Sequence, residues 1–192
     1  MAASRSADLP PLDVVLGGAA RSDELPEELE RLYAQYFDFV WRSLRRLGVS
    51  PPELDDAAQD VFIVLLRRRA EFRGHSSHRT WLFGIANNVA HEYRRKRQRA
   101  ALGTPLSDSQ RTERPSPLDQ ASSNEALRLL DGFLATLDED KRAVFILAEL
   151  EQMSASEVAS ALGVKLNTVY SRLRVARQAF HALLEQQALG EP

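Results

Sequence analysis

The chain has 192 residues, with 25 Lys and Arg against 27 Asp and Glu, and no cysteine. One or two domains fit that length, while disulfide frameworks, thiolate zinc sites and thiol redox switching are excluded. No apolar run approaches the roughly 20 residues that span a bilayer. Residues 1–20 are mixed and acidic, without the continuous apolar core of a signal peptide, so a cytoplasmic protein is expected. The formal net charge of −2 conceals an asymmetry: residues 1–66 carry −6, residues 67–99 carry +8 and residues 100–192 carry −4. A cationic block between acidic flanks is the electrostatic footprint of a polyanion partner. The flanks argue against a protein that coats DNA indiscriminately.

Residues 1–26 include Pro10, Pro11, Gly17, Gly18 and Pro26, lack sustained periodicity and read as a mobile, disordered tail. From Glu27 to Leu47, the spacing of Leu29, Leu32, Tyr33, Tyr36, Phe37, Val40, Leu44 and Leu47 predicts a long helix with a wide apolar stripe. Gly48 ends it, and Pro51-Pro52 opens a second helix over about 52–71 that buries Leu54, Ala58, Val61, Phe62, Leu65 and Leu66. Asp56, Gln59 and Asp60 share neighbouring faces of that helix at i, i+3 and i+4. Residue chemistry leaves two readings open: a solvated first turn favoured by the helix dipole, or a docking surface for a basic protein.

A polar loop, Phe72-Arg73-Gly74-His75-Ser76-Ser77-His78-Arg79, leads to a third helix from Thr80 to about Arg97. Trp81, Leu82, Ile85, Val89 and Tyr93 are expected to face inward. The helix ends in Arg94-Arg95-Lys96-Arg97-Gln98-Arg99. Cations complement a helix C-terminus, but so dense a run exceeds that need and points to phosphate tracking. The loop beside it is either an ordinary connector or a place where an extruded base is stacked and hydrogen-bonded.

Residues 98–122, rich in Ser, Pro, Thr and Arg, read as a flexible linker. Periodicity returns at Ala126, Leu127, Leu130, Phe133, Leu134 and Leu137, and Asp138 is placed to cap a helix carrying Val144, Phe145, Leu147 and Leu150. Ser154-Ala155-Ser156-Glu157 is a capping box, Gly163 suits the left-handed helix stop, and a last helix carries Val169, Leu173, Ala176 and Phe180 as one stripe. This is a helix-turn-helix. Thr168, Ser171, Arg172 and Val175 lie on another face, and Lys165, Arg172, Arg174 and Arg177 come with no acidic residue between 165 and 181. A helical hairpin with a solvated basic face is the alternative. The fold class expected is all-α: two small helical domains, 27–97 and 123–187, joined by the linker.

Catalysis has little support. His75 and His78 form a His-x-x-His without a third defined ligand, and there is no Gly-rich phosphate loop or recognisable nucleophile–base pair. No cofactor and no metal are expected. A stand-alone helix-turn-helix regulator would need a receiver or ligand domain, which residues 27–97 do not resemble; a helical enzyme built on the His-containing loop would depend on a metal.

The segments Asp-Asp-Ala-Ala-Gln-Asp-Val-Phe (55–62), Phe-Arg-Gly (72–74), Thr-Trp-Leu-Phe-Gly-Ile-Ala-Asn-Asn (80–88) and the basic run together resemble region 2 of bacterial sigma factors. Residues 134–178 resemble region 4, and the single short linker resembles the extracytoplasmic-function (ECF) class. The resemblance implies a sigma factor that binds core RNA polymerase and directs initiation by recognising −10 and −35 promoter elements. It places Asp56, Gln59, Asp60 and Ile63 on a coiled coil of the largest polymerase subunit, and region 4 near the flap. It assigns −10 recognition and melting to Arg73, His75, Ser76, Ser77, Arg79, Trp81, Asn87, Asn88, Arg94 and Arg95. It assigns −35 recognition to Lys165, Asn167, Thr168, Ser171, Arg172, Arg174 and Arg177. An anti-sigma protein is a further implied partner. Gly84 and Asn87 stand where many relatives carry basic residues, and Lys165 replaces a small hydroxyl that often caps the recognition helix.

Overall fold

The computed structural model describes residues 27–69, 77–103 and 125–190, and every regular element among them is helical. Helix α1 spans Glu27–Arg46, and its stripe buries Tyr33, Phe37, Val40, Leu44 and Leu47, joined by Phe39 from a neighbouring face. Gly48, at φ +90°, stops it. The Gly48 amide donates to Arg45 O (3.0 Å) and the Val49 amide to Leu44 O (3.1 Å), the paired bonds of a Schellman motif. A short 3₁₀ turn, Pro51–Glu53, feeds α2, Leu54–Arg68, which buries Leu54, Ala57, Ala58, Val61, Phe62 and Leu65.

Helix α3 runs from His78 to Gly103, starting two residues before the sequence expectation and continuing six beyond it. Ser77 explains the start: its Oγ accepts the Thr80 amide at 3.1 Å, a side-chain cap on the first turn. The extension has a simple cause as well. Gln98, Arg99, Ala100, Ala101 and Leu102 are strong helix formers, so the predicted linker begins as helix. Leu82, Phe83, Ile85, Ala86, Val89 and Ala90 are buried, while Trp81 and Tyr93 are half-buried. These three helices pack around Phe62, whose ring meets Tyr33 edge-on at 4.7 Å and Phe37 in a stack at 6.3 Å.

The second half begins with α4, Glu125–Thr136, where Phe133 and Leu134 are buried but Ala126 and Leu127 face solvent, contrary to expectation. Helix α5, Glu139–Phe145, is capped as expected: Asp138 Oδ1 accepts the Lys141 amide at 2.8 Å. It then widens into a π turn, Ile146–Leu150, closed by the Glu151 amide on Ile146 O at 2.9 Å. Helices α6 (Ala155–Leu162) and α7 (Leu166–Gly190) form the helix-turn-helix, and Phe133, Phe145 and Phe180 meet beneath it at 4.9–5.6 Å. The two halves pack on each other, α6 against α3, so that their buried side chains form one continuous cluster.

The capping box is complete. Ser154 Oγ accepts the Glu157 amide (3.3 Å), and Glu157 Oε2 accepts the Ser154 amide (2.9 Å). Two orphan donors are satisfied reciprocally, so Ser154→Ala is expected to lower stability by about 1 kcal/mol. Urea denaturation checks this; an unchanged midpoint would show that the helix-turn-helix does not need its cap.

Candidate nucleic-acid interface

The turn of the helix-turn-helix is set by Gly163, at φ +64°. Beyond it, Val169, Leu173 and Ala176 turn α7 into the core, with Phe180 half-buried behind them. The helical period therefore carries Lys165, Asn167, Tyr170, Ser171 and Arg174 outward, where all five are exposed. Thr168 is half-buried, and its carbonyl accepts the Ser171 hydroxyl at 3.0 Å. The cations of this face differ in freedom. Arg172 donates to Asp140 Oδ2, Arg177 reaches Glu149 Oε1 at 2.7 Å, and Arg174 makes a long 3.5 Å contact with Gln178.

The second cationic region lies on α3. Arg79 stacks its guanidinium over Phe39, 4.9 Å from the ring centroid, and pairs with Glu151 Oε2. Asn88 is exposed, and Asn87 is half-buried. Arg94 pairs through Nε with Glu139 Oε1 at 2.9 Å and donates through Nη1 to Leu47 O. His91 Nδ1 lies 2.6 Å from the other Glu139 oxygen. The Arg94 hydrogen bond, and then that of His91, hold the Glu139 carboxyl below its ordinary pKa. Arg95, Lys96, Arg97 and Arg99 are exposed, with Lys96 Nζ 5.2 Å from the Tyr93 ring. Ser77 is occupied in capping. Arg73, His75 and Ser76, with the Phe-Arg-Gly segment, lie outside the described residues.

The face of α2 that carries Asp56, Gln59 and Asp60 differs in exposure along its length. Asp56 is exposed, whereas Gln59, Asp60 and Ile63 are half-buried, Ile63 against the core. Asp60 Oδ2 accepts the Tyr93 hydroxyl at 2.8 Å, and burial together with this bond pushes the Tyr93 phenol well above its usual pKa. Among the described residues, no group of three or more His, Asp or Glu is placed to hold a metal. None of the helices described is long and apolar enough to cross a membrane.

The sequence reading missed the carboxylates that answer the cations: Glu139, Asp140, Glu149 and Glu151. Each partner lies far away in the chain, from 28 residues (Arg177 and Glu149) to 105 (Arg46 and Glu151). Helical periodicity reports which face a residue occupies, not what that face meets. No local signal marked them.

Fold and site together define an all-helical protein that presents a helix-turn-helix and a second cationic region on α3. The family models for sigma-70 region 2 and sigma-70 region 4 match residues 32–100 and 127–180, more than half of the chain. The chain is 32% identical over 154 residues to the RNA polymerase sigma factor YlaC of Bacillus subtilis, covering 79% of this chain and 88% of that protein. It is 32% identical over 171 residues to the ECF sigma factor SigX of the same organism, covering 84% and 88%. The sigma factor RpoE of Bartonella quintana, solved in complex with the anti-sigma factor NepR, shares the fold with a TM-score of 0.66 at 22% identity, over 83% of this chain and 98% of that one. The chain belongs to the sigma-70 family, as an ECF RNA polymerase sigma factor serving promoter-specific transcription initiation.

Proposed function

We propose that α7 reads the −35 element in the major groove, and that residues 72–97 recognise and melt the −10 element. The observation that carries this reading is the outward face of α7, where Lys165, Asn167, Ser171 and Arg174 are exposed opposite a buried stripe. A helix held by one face and polar on the other is what the major groove admits. Arg172 and Thr168 border that face, and Arg177 holds phosphate. On α3, Arg79, Trp81, Asn87 and Asn88 meet unstacked bases together with Arg73, His75, Ser76 and Ser77, while Arg94 and Arg95 track the backbone. The protein is a binding subunit without an active site of its own, works in the cytoplasm, and is held in check by an anti-sigma protein. Run-off transcription with core polymerase on a library of source-genome fragments, with and without this chain, tests the reading. Selective new transcripts are expected; failure to direct initiation removes it.

Residues 27–97 form the core-binding and −10 module and residues 123–187 the −35 module. Within the first, Asp56, Gln59, Asp60 and Ile63 dock on the coiled coil of the largest polymerase subunit, with the flap region receiving the second module. Asp56 is the cleaner probe because Asp60 also accepts the Tyr93 hydroxyl. Asp56→Arg is expected to weaken core binding at least about ten-fold, since like charges set against one another across an interface are strongly unfavourable. Its thermal melting should match the parent. An unchanged core affinity would return Asp56 to an ordinary solvated first turn.

A further inference from the structure

We propose that the chain, when free of core polymerase, rests in a closed state in which Glu151 latches its two halves together and keeps α3 from DNA. What the latch withholds rests on the sigma-factor reading above; the latch itself does not.

Glu151 is only 6% exposed, and both of its oxygens are spent on the other half of the molecule. Oε1 accepts Arg46 Nη1 at 2.7 Å, and Oε2 accepts Arg79. A buried carboxylate needs its counter-charges, because desolvation without them is strongly unfavourable. The burial of Glu151 therefore follows from the packing of the two halves. The local backbone is shaped for this as well. The π turn inserts a residue just before Glu151, and Gln152, immediately after it, holds φ at +53°, a strained value for a residue with a side chain.

Other contacts along the same seam point the same way. Glu139 takes Arg94 and His91, Asp131 takes Arg45 at 3.1 Å, and Arg142 reaches Leu47 O at 3.3 Å. Gly84, in the interior of α3, lets α6 approach: a Cβ there would lie 2.8 Å from the backbone oxygen of Ala161. Arg79 and Arg94, both assigned to −10 DNA, are thus occupied by carboxylates that stand where phosphates would. Among the described residues, no carboxylate of the first half pairs with a cation on the outward face of α7. The closed state withholds one promoter-reading module and leaves the other presented.

The test uses the full chain. Because it lacks cysteine, spin labels on Q98C and S160C, both exposed positions on facing halves, report one distance by pulsed electron resonance. A short, narrow distance is expected for the parent at low salt. A longer, broader one is expected in E151Q and in G84A. Alanine favours its own helix over glycine, so G84A separates opening from unfolding, and circular dichroism melting confirms that both variants fold. Core affinity should rise in both, by up to about ten-fold if one free molecule in ten is open. Parent-like distances in both variants, or a long distance in the parent, would overturn the closed state; opening by G84A alone would overturn the role of Glu151. A chain inert in transcription whose distance still lengthens with E151Q would remove the sigma reading and keep the latch.

Discussion

Phe62→Ala is expected to cost about 3–5 kcal/mol of folding free energy. The side chain is fully buried where α1, α2 and α3 converge, and its ring is held by Tyr33 and Phe37. Truncation removes the buried apolar surface and leaves a cavity bounded by aromatic rings, which cannot collapse without moving α1. Against a typical total of roughly 5–15 kcal/mol, the variant keeps little margin. Urea denaturation should show a lower midpoint with an unchanged slope. A loss under about 1 kcal/mol would mean that the helices close around the gap, and that the packing seen at Phe62 is not what holds α2 and its acidic face in place.

Arg172→Ala is the second. If Arg172 donates to a guanine edge, its loss is expected to cost about 1–3 kcal/mol in promoter binding and to relax preference at one −35 position only. The complication is Asp140, which holds the Arg172 guanidinium in the free chain. Asp140 is mostly exposed, with a side chain 67% accessible, and surface ion pairs of that kind contribute at most about 1 kcal/mol. Asp140→Ala should therefore move affinity less than about five-fold, and upward, because it frees the arginine. Competition binding against a randomised −35 element reads both variants. Equal loss across all sequences for Arg172→Ala would reduce its role to phosphate contact, and a large loss for Asp140→Ala would show that the carboxylate orients the arginine rather than competing for it.

Much of the architecture was legible because it is written in local chemistry. The Ser154–Glu157 box, the Asp138 cap, the left-handed Gly163 and the four-three-four spacing of Val169, Leu173, Ala176 and Phe180 each act within one or two turns of helix, where sequence distance equals spatial distance. The i, i+3, i+4 spacing of Asp56, Gln59 and Asp60 likewise falls within one helix, α2. What escaped was set by contact between distant segments. Phe83, Ala86 and Ala90 are buried although the stripe of α3 was drawn through Trp81 and Tyr93, because α3 is packed on more than one side. The π turn has no signature in side-chain spacing. Glu151 looked like any surface acid until the fold brought Arg46 and Arg79 to it.

The continuation of α3 through Gly103 decides how the basic run is presented. At 1.5 Å per residue, its 26 residues make a rod about 39 Å long. Because successive side chains turn by about 100°, Arg95, Lys96, Arg97 and Arg99 fan over roughly 200° of its far end rather than along one edge. Such an end tolerates a range of rotations about its axis when it meets phosphates. Raising the salt concentration is therefore expected to weaken promoter binding steeply, because counterions are released at each phosphate contact this end makes.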